Sequence, residues 1–171
     1  GRSESAEQAY RQAMSIRAQL GNRSGWGHLR SNLACLHQDL GRLDEALAGA
    51  TEAAAAHESA GNPRGLGVSL CAQGGPLLEL GRHEDAVTAL TRSNDLLRRA
   101  MYTHGRLRAA GALAVGLAFT GRLDRARESL AEAMALRPPN TETPHWLVLC
   151  EVLISGLDPG TKNPRTLVDP D

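Results

Sequence analysis

Apolar residues recur along this chain at the spacing of an α-helix. Leu29, Leu33, Leu36 and Leu40 stand at i, i+4, i+7 and i+11, which places them on one helix face and predicts that they belong to the core. A second set of matched positions holds small or apolar side chains, namely Ala46, Ala50 and Ala53, then Ala86, Leu90 and Ser93, then Ala126, Leu130 and Ala133. Because small residues let helices approach closely, the pattern predicts helices packed in pairs.

The same short phrase returns every 40 residues, as Gly1-Arg2, Gly41-Arg42, Gly81-Arg82 and Gly121-Arg122. Glycine supplies the left-handed residue that ends a helix. A second glycine signal, Gly21-Asn22 and Gly61-Asn62, falls midway between successive Gly-Arg pairs. These signals predict helices near residues 3–20, 24–40, 43–60, 64–80, 83–100, 104–120, 122–137 and 144–156. A fixed period of this size indicates a repeat array. Since the first copy opens in mid-unit, we expect the chain to be a piece of a longer array.

Composition supports an all-α class and narrows the choice of partner. The chain is 42% hydrophobic with only 3% aromatic residues, and Ala and Leu favour helices over sheet. A net charge of zero argues against direct nucleic-acid binding by this segment. No apolar run approaches the roughly 20 residues that span a bilayer, so no membrane contact is expected. The three cysteines show no C-x-x-C spacing, which fits a reducing, cytoplasmic location.

The pattern inside each unit resembles the tetratricopeptide repeat (TPR) family. Its first-helix signature is matched by Arg30, Leu33, Ala34 and His37, by Ala110, Leu113, Ala114 and Leu117, and by Trp146, Leu149, Cys150 and Leu153, and it is degenerate at Leu70, Gln73, Gly74 and Leu77. Its second helix is matched best by Ala126, Leu130 and Ala133, which end at Pro138. The resemblance implies a right-handed α-solenoid of about four helix-turn-helix units over residues 1–156, starting at a second (B) helix, and an extended tail over residues 157–171.

Repeats of 40 rather than 34 residues are similar to the C-terminal arrays of bacterial regulators, including the antibiotic regulatory protein type with its nucleotide-switch ATPase. That resemblance implies a protein-interaction or intramolecular regulatory module of a transcription regulator that controls antibiotic biosynthesis. A free-standing adaptor or assembly factor is the first alternative, and an enzyme is the second. The partner would be a protein, a peptide or another domain of the parent chain.

No residue pattern predicts catalysis, a cofactor or a metal. The six histidines never fall at H-x-x-x-H or H-E-x-x-H spacing, and no cysteine pairs with them in a ligand pattern. Gly25-Trp26-Gly27 and Gly65-Leu66-Gly67 each lack the third glycine of a dinucleotide-binding loop. We expect these glycines to let a helix start close to its neighbour instead.

In TPR arrays the first (A) helices line a concave groove, and the resemblance implies which positions face it. They are His28, Ser31, Asn32, Cys35, Asp39, Val68, Cys71, Gly75, Leu78, Glu79, Arg108, Gly111, Val115 and Phe119. This set mixes polar and apolar side chains and would suit a peptide or helix, with Asn32 holding the peptide backbone by resemblance. The alternative is a solvated inner face that binds nothing.

Three local features of the sequence lead to separate predictions. Gly74-Gly75-Pro76 should kink or break its helix, because proline removes a backbone bond at a cost of about 3 kcal/mol. The face of the first helix that carries Ala6, Tyr10 and Ala13 should lie open, which allows self-association. In the tail, residues 167–168 should dock on an apolar surface of the solenoid end or of a neighbouring groove.

Overall fold

The structure is a computed structural model, and residues 1–157 of it are described, with the side chain of Arg2 excepted. Within that range the chain forms eight α-helices: α1 Arg2–Gln19, α2 Arg23–Asp39, α3 Leu43–Ser59, α4 Pro63–Glu79, α5 His83–Arg99, α6 Thr103–Phe119, α7 Leu123–Ala135 and α8 His145–Leu157. The predicted all-α class is confirmed. The expected extended tail and its docking residues 167–168 lie outside the described residues.

Left-handed residues end the helices where the glycine signals predicted them. Gly21, Gly41, Gly61, Gly81 and Gly121 have φ between 61° and 77°, which glycine adopts without steric cost. Met101 takes the same place in the α5–α6 turn with a φ of 51°. The predicted end of α7 near residue 137 is wrong by two residues. A proline disfavours helical geometry in the residue before it. Here that residue is Arg137, which precedes Pro138.

Helices pack in the order of the sequence and form an α-solenoid. The pairs α2–α3, α4–α5 and α6–α7 are the helix-turn-helix units, and α3 and α5 also contact the first helix of the next unit. The first helices additionally contact one another, α2 with α4, α4 with α6 and α6 with α8. This contact along one row places α2, α4, α6 and α8 on the inner side of the array.

The core includes the small residues that the repeat pattern singled out, together with many leucines. Ala46, Ala86 and Ala126 stand 40 residues apart and are each 0% exposed, as is Leu90. The predicted leucine stripe of α2 is only partly correct. Leu33 is buried, whereas Leu40 is 44% exposed because it follows the last residue of α2 and lies at the surface.

The helix that carries Gly74-Gly75-Pro76 is continuous, so the expected break is absent. Pro76 lies in the last turn of α4, where its missing N–H removes a single backbone bond. Its ring is buried, and a Cβ on Gly74 would come within 2.5 Å of Leu90 Cδ2. The small residues therefore allow α4 to lie directly against α5.

Candidate binding groove

A groove of about 720 Å³ runs along the inner row of helices. Its lining comes mainly from α2, α4, α6 and α8, with Leu97 from α5 and with Tyr102 and Pro144 from the turns before α6 and α8: Ser31, Asn32, Cys35, Gln38, Val68, Cys71, Ala72, Gly75, Leu97, Tyr102, His104, Gly105, Leu107, Arg108, Ala112, Pro144, Trp146 and Cys150. Seven of these were placed in a groove by the sequence, namely Ser31, Asn32, Cys35, Val68, Cys71, Gly75 and Arg108. Four successive first helices therefore contribute to one concave surface.

The hydroxyl group of Ser31 and the thiol groups of Cys35 and Cys71 line the groove, and we call these three residues its floor. Ser31 Oγ and Ser69 Oγ share a hydrogen bond of 2.8 Å and join α2 to α4. Burial raises the pKa of the Cys71 thiol to about 11, although the charge of Arg108 opposes the shift. Burial also raises the pKa of the Cys35 thiol; the Arg108 charge opposes this shift and the Asp39 charge adds to it. Both thiols are protonated at neutral pH, so they act as small apolar groups rather than as nucleophiles.

Two aromatic side chains that the sequence did not predict for the groove belong to its lining. Tyr102 precedes α6, and the guanidinium carbon of Arg64 lies 4.0 Å from its ring centroid, a cation–π contact. Trp146 of α8 is 38% exposed. Its ring packs on α6, as the distance of 2.3 Å from a Cβ on Gly111 to its Cζ3 indicates. Their signal in the sequence is rarity, since aromatic residues make up only 3% of the chain.

Other predicted groove residues lie outside the groove lining. Leu78 and Val115 are partly buried and pack against the core. Leu78 faces α6 of the inner row, since a Cβ on Gly116 would lie 3.4 Å from its Cδ2. Phe119 ends α6 and stacks on His83 of α5, with ring centroids 4.6 Å apart and an interplanar angle of 10°.

The acidic residues predicted for the groove lie at the ends of the inner helices. Glu79 ends α4 and accepts a hydrogen bond of 2.6 Å from Gln38 Nε2. Asp39 ends α2, is exposed and does not line the groove. Both carboxylates therefore lie outside the groove lining.

His28 belongs to a different cluster, a histidine pair beside two glycines. Its ring meets that of His57 edge-on, with centroids 4.5 Å apart. His57 is 0% exposed, and a Cβ on Gly65 or Gly27 would come within 2.3 Å of its Nδ1 or 2.9 Å of its Nε2. Burial, helped by the charge of His28, lowers the pKa of His57 to about 4. As expected, these glycines admit a close neighbour, here an imidazole.

A buried carboxylate anchors the first helix. Glu7 is 8% exposed and forms ion pairs with Arg42 and, at 3.0 Å, with Arg11. Partial burial raises the pKa of Glu7, but the hydrogen bond from Arg42 and the charges of Arg42, His37 and Arg11 outweigh it and lower the pKa. His37 is also buried at this place. Within the described residues its ring nitrogens have no hydrogen-bond partner, and Nε2 lies 3.7 Å from Glu7 Oε2.

Neither a metal centre nor a membrane span is found in the described part. No three His, Cys, Asp or Glu side chains of residues 1–157 are grouped to hold a metal ion. Over the same residues, each helix is too short or too polar to cross a membrane.

Comparisons with known proteins identify the fold class of this chain. No protein-family model matches the chain, and no curated protein matches it. The crystal structure of BtubC (BKLC) from P. vanneervenii is similar, with a TM-score of 0.77 at 19% sequence identity over 92% of this chain. The chain spans 65% of the length of that structure. Likeness at this identity concerns the fold alone, and together with the packing order it makes the chain an α-solenoid.

Proposed function

We propose that the chain is a TPR-type interaction module that holds a segment of a protein in its groove. The observation that carries this proposal is the lining itself. Solvent-accessible polar groups such as Asn32 and Arg108 alternate there with apolar ones such as Val68 and Trp146 over four helices. An extended segment laid across the inner helices would meet a polar or apolar contact at each of them.

The chemistry of the groove supports binding over catalysis. The Cys35 and Cys71 thiols are held protonated by burial, and the buried hydroxyls of Ser31 and Ser69 satisfy each other. A nucleophile would need a base within hydrogen-bond reach and a lowered pKa, and the groove has neither among its described residues. An enzyme therefore stays the weaker alternative.

The wider role follows from the repeat length. The 40-residue period supports a place in the C-terminal array of a bacterial transcription regulator of the antibiotic-biosynthesis type, where the bound segment would be a partner protein or another domain of the same chain. The unpaired cysteines, of which Cys35 and Cys71 are partly buried, fit a cytoplasmic protein. A free-standing adaptor is the alternative, and an upstream DNA-binding or ATPase domain in the parent gene would decide between them.

The experiment fills the groove and measures peptide binding. Ala112→Trp places a large side chain among the lining residues, and Ala131→Trp places the same side chain on an exposed position of α7 as the matched control. Phage-displayed random peptides selected on the wild-type chain should bind the control variant and not the filled one. Equal binding to both variants, with equal melting temperatures, would show that the groove is not the binding site.

A further inference from the structure

Among the described residues, the lining of the groove contains one arginine and no carboxylate. Although the chain has 19 acidic and 19 basic residues, none of the described residues that line the groove is Asp or Glu. Arg108 is the arginine of the lining, and His104 lies one helical turn before it. The carboxylate of Asp39 lies outside the lining, although its charge raises the pKa of the Cys35 thiol, and Glu79 accepts a hydrogen bond from Gln38.

Arg108 has no partner for its charge inside the described chain. Its side chain is exposed, and it forms no ion pair with any of residues 1–157, whereas Arg106, two residues earlier, pairs with Glu132. The Arg108 charge nevertheless acts on the floor, because it opposes the rise in the pKa of both groove thiols. The Arg108 charge therefore reaches both groove thiols, and among the described residues no carboxylate forms an ion pair with it.

An exposed aromatic surface lies beside this guanidinium. Trp146 stands against Gly111, and residues 108 and 111 are neighbours on one face of α6, about 5 to 6 Å apart. Val68 and Ala72 continue the apolar surface on α4. A ligand that pairs with Arg108 would thus also cover an apolar surface one helical turn away.

We propose that the groove selects an extended protein segment that carries an acidic side chain next to an apolar one, with Arg108 as the pairing cation and Trp146 as the apolar contact. This inference rests on the proposed function of the same groove. Complementary charge in a partly desolvated groove favours such a segment over a neutral or basic one.

The test is a random-peptide selection on three proteins: the wild type, Arg108→Ala and Arg108→Glu. Peptides selected on the wild type should be enriched in Asp and Glu relative to the starting library. The enrichment should vanish with Arg108→Ala and turn into enrichment of Lys and Arg with Arg108→Glu. The melting temperature of each variant, followed by circular dichroism, checks that Arg108 is not needed for folding.

One wild-type-selected acidic peptide then serves as the probe in fluorescence anisotropy. Arg108→Ala should weaken its binding about tenfold or more, and added salt should weaken wild-type binding, since an exposed charge pair is screened. Arg99→Ala removes an exposed arginine on α5 outside the groove and should leave the affinity unchanged.

The outcomes separate the two proposals. Peptides that bind the wild type and not the groove-filled variant, but show no acidic enrichment or no response to Arg108→Ala, would overturn the acidic selectivity alone. An equal loss with Arg99→Ala would also overturn it, because the effect would then be one of net charge. Selection that enriches no peptide on the wild type over the groove-filled variant would overturn the proposed function itself.

Discussion

Replacing Gly65 with alanine should destabilise the solenoid although the change normally favours a helix. Gly65 is the third residue of α4, and its added Cβ would lie 2.3 Å from His57 Nδ1 and 2.5 Å from its Cε1. The ring cannot move away easily, because His57 is 0% exposed and Gly27 lies so close on its other side that a Cβ there would be 2.9 Å from Nε2. The methyl group must therefore displace a helix or the ring.

The expected size follows from two opposing terms. Overpacking a filled interior costs about 1–3 kcal/mol, and alanine in place of glycine gains up to about 1 kcal/mol in a helix. Because the 2.3 Å contact is far inside van der Waals distance, the cost should fall in the upper part of its range, so the net loss should be about 1–2 kcal/mol. In a domain of this length each lost kcal/mol lowers the melting temperature by about 2–4 °C.

Thermal and urea unfolding followed by circular dichroism would measure this loss. Gly75→Ala in the same helix is the matched control, because its Cβ would meet the flexible amide of Gln38 rather than a buried ring, so stability should change little. The double variant Gly65→Ala with His57→Ala should lose less than the sum of the two single changes, since removing the ring frees space for the methyl. Wild-type stability of Gly65→Ala, or strict additivity, would refute the reasoning.

Three further predictions concern titration, reactivity and assembly. The pKa of His57 in the fold, about 4, lies below its ordinary 6.5, so stability should be lost as the pH falls through this window, by up to about 3 kcal/mol, and His57→Leu should remove that slope in acid unfolding. Cys71, whose pKa burial raises to about 11, should react with iodoacetamide at neutral pH far more slowly than free cysteine, as timed mass spectrometry would show. Tyr10 is half-buried, whereas Leu90, which occupies the same repeat position, is 0% exposed. Tyr10→Arg should therefore weaken any self-association seen in sedimentation equilibrium. A monomer at every concentration would contradict an interface on this face.

The fold could be predicted because each local signal repeats in register. Gly41 and Gly81 end helices with φ values of 73° and 74°, and Ala46 and Ala86 reach 0% exposure 40 residues apart. A helix boundary or a buried alanine that occurs once is weak evidence, whereas the same one at a fixed period is strong. Met101 shows that the period can override residue type, since it adopts a positive φ of 51° at a position where glycine stands in the two preceding repeats.

The groove lining was predicted less completely, because helical register does not show how closely neighbouring inner helices approach. Ser31 and Cys35 lie one turn apart on α2, and both line the groove. Leu78 and Val115 were placed on the same kind of surface, yet both are partly buried against the core, since α4 and α6 contact each other directly. The curvature of the inner row decides which flanking positions stay accessible, and curvature is a property of several helices together.

Tyr102 shows why the sequence did not predict the aromatic side chains of the groove. In the two preceding repeats the same position holds a capping asparagine, whose Oδ1 accepts a hydrogen bond from Gly25 N at 2.7 Å or from Gly65 N at 2.8 Å. Such a cap contributes about 1 kcal/mol to a helix, and Tyr102 makes no side-chain cap. Its ring instead lies over Gly105, whose added Cβ would be 2.6 Å from Tyr102 Cδ1, and forms part of the groove. A repeat that gives up a local stabilising contact for a half-buried ring in the groove departs from its own rule where a ligand would bind, and that departure supports the groove as the functional surface.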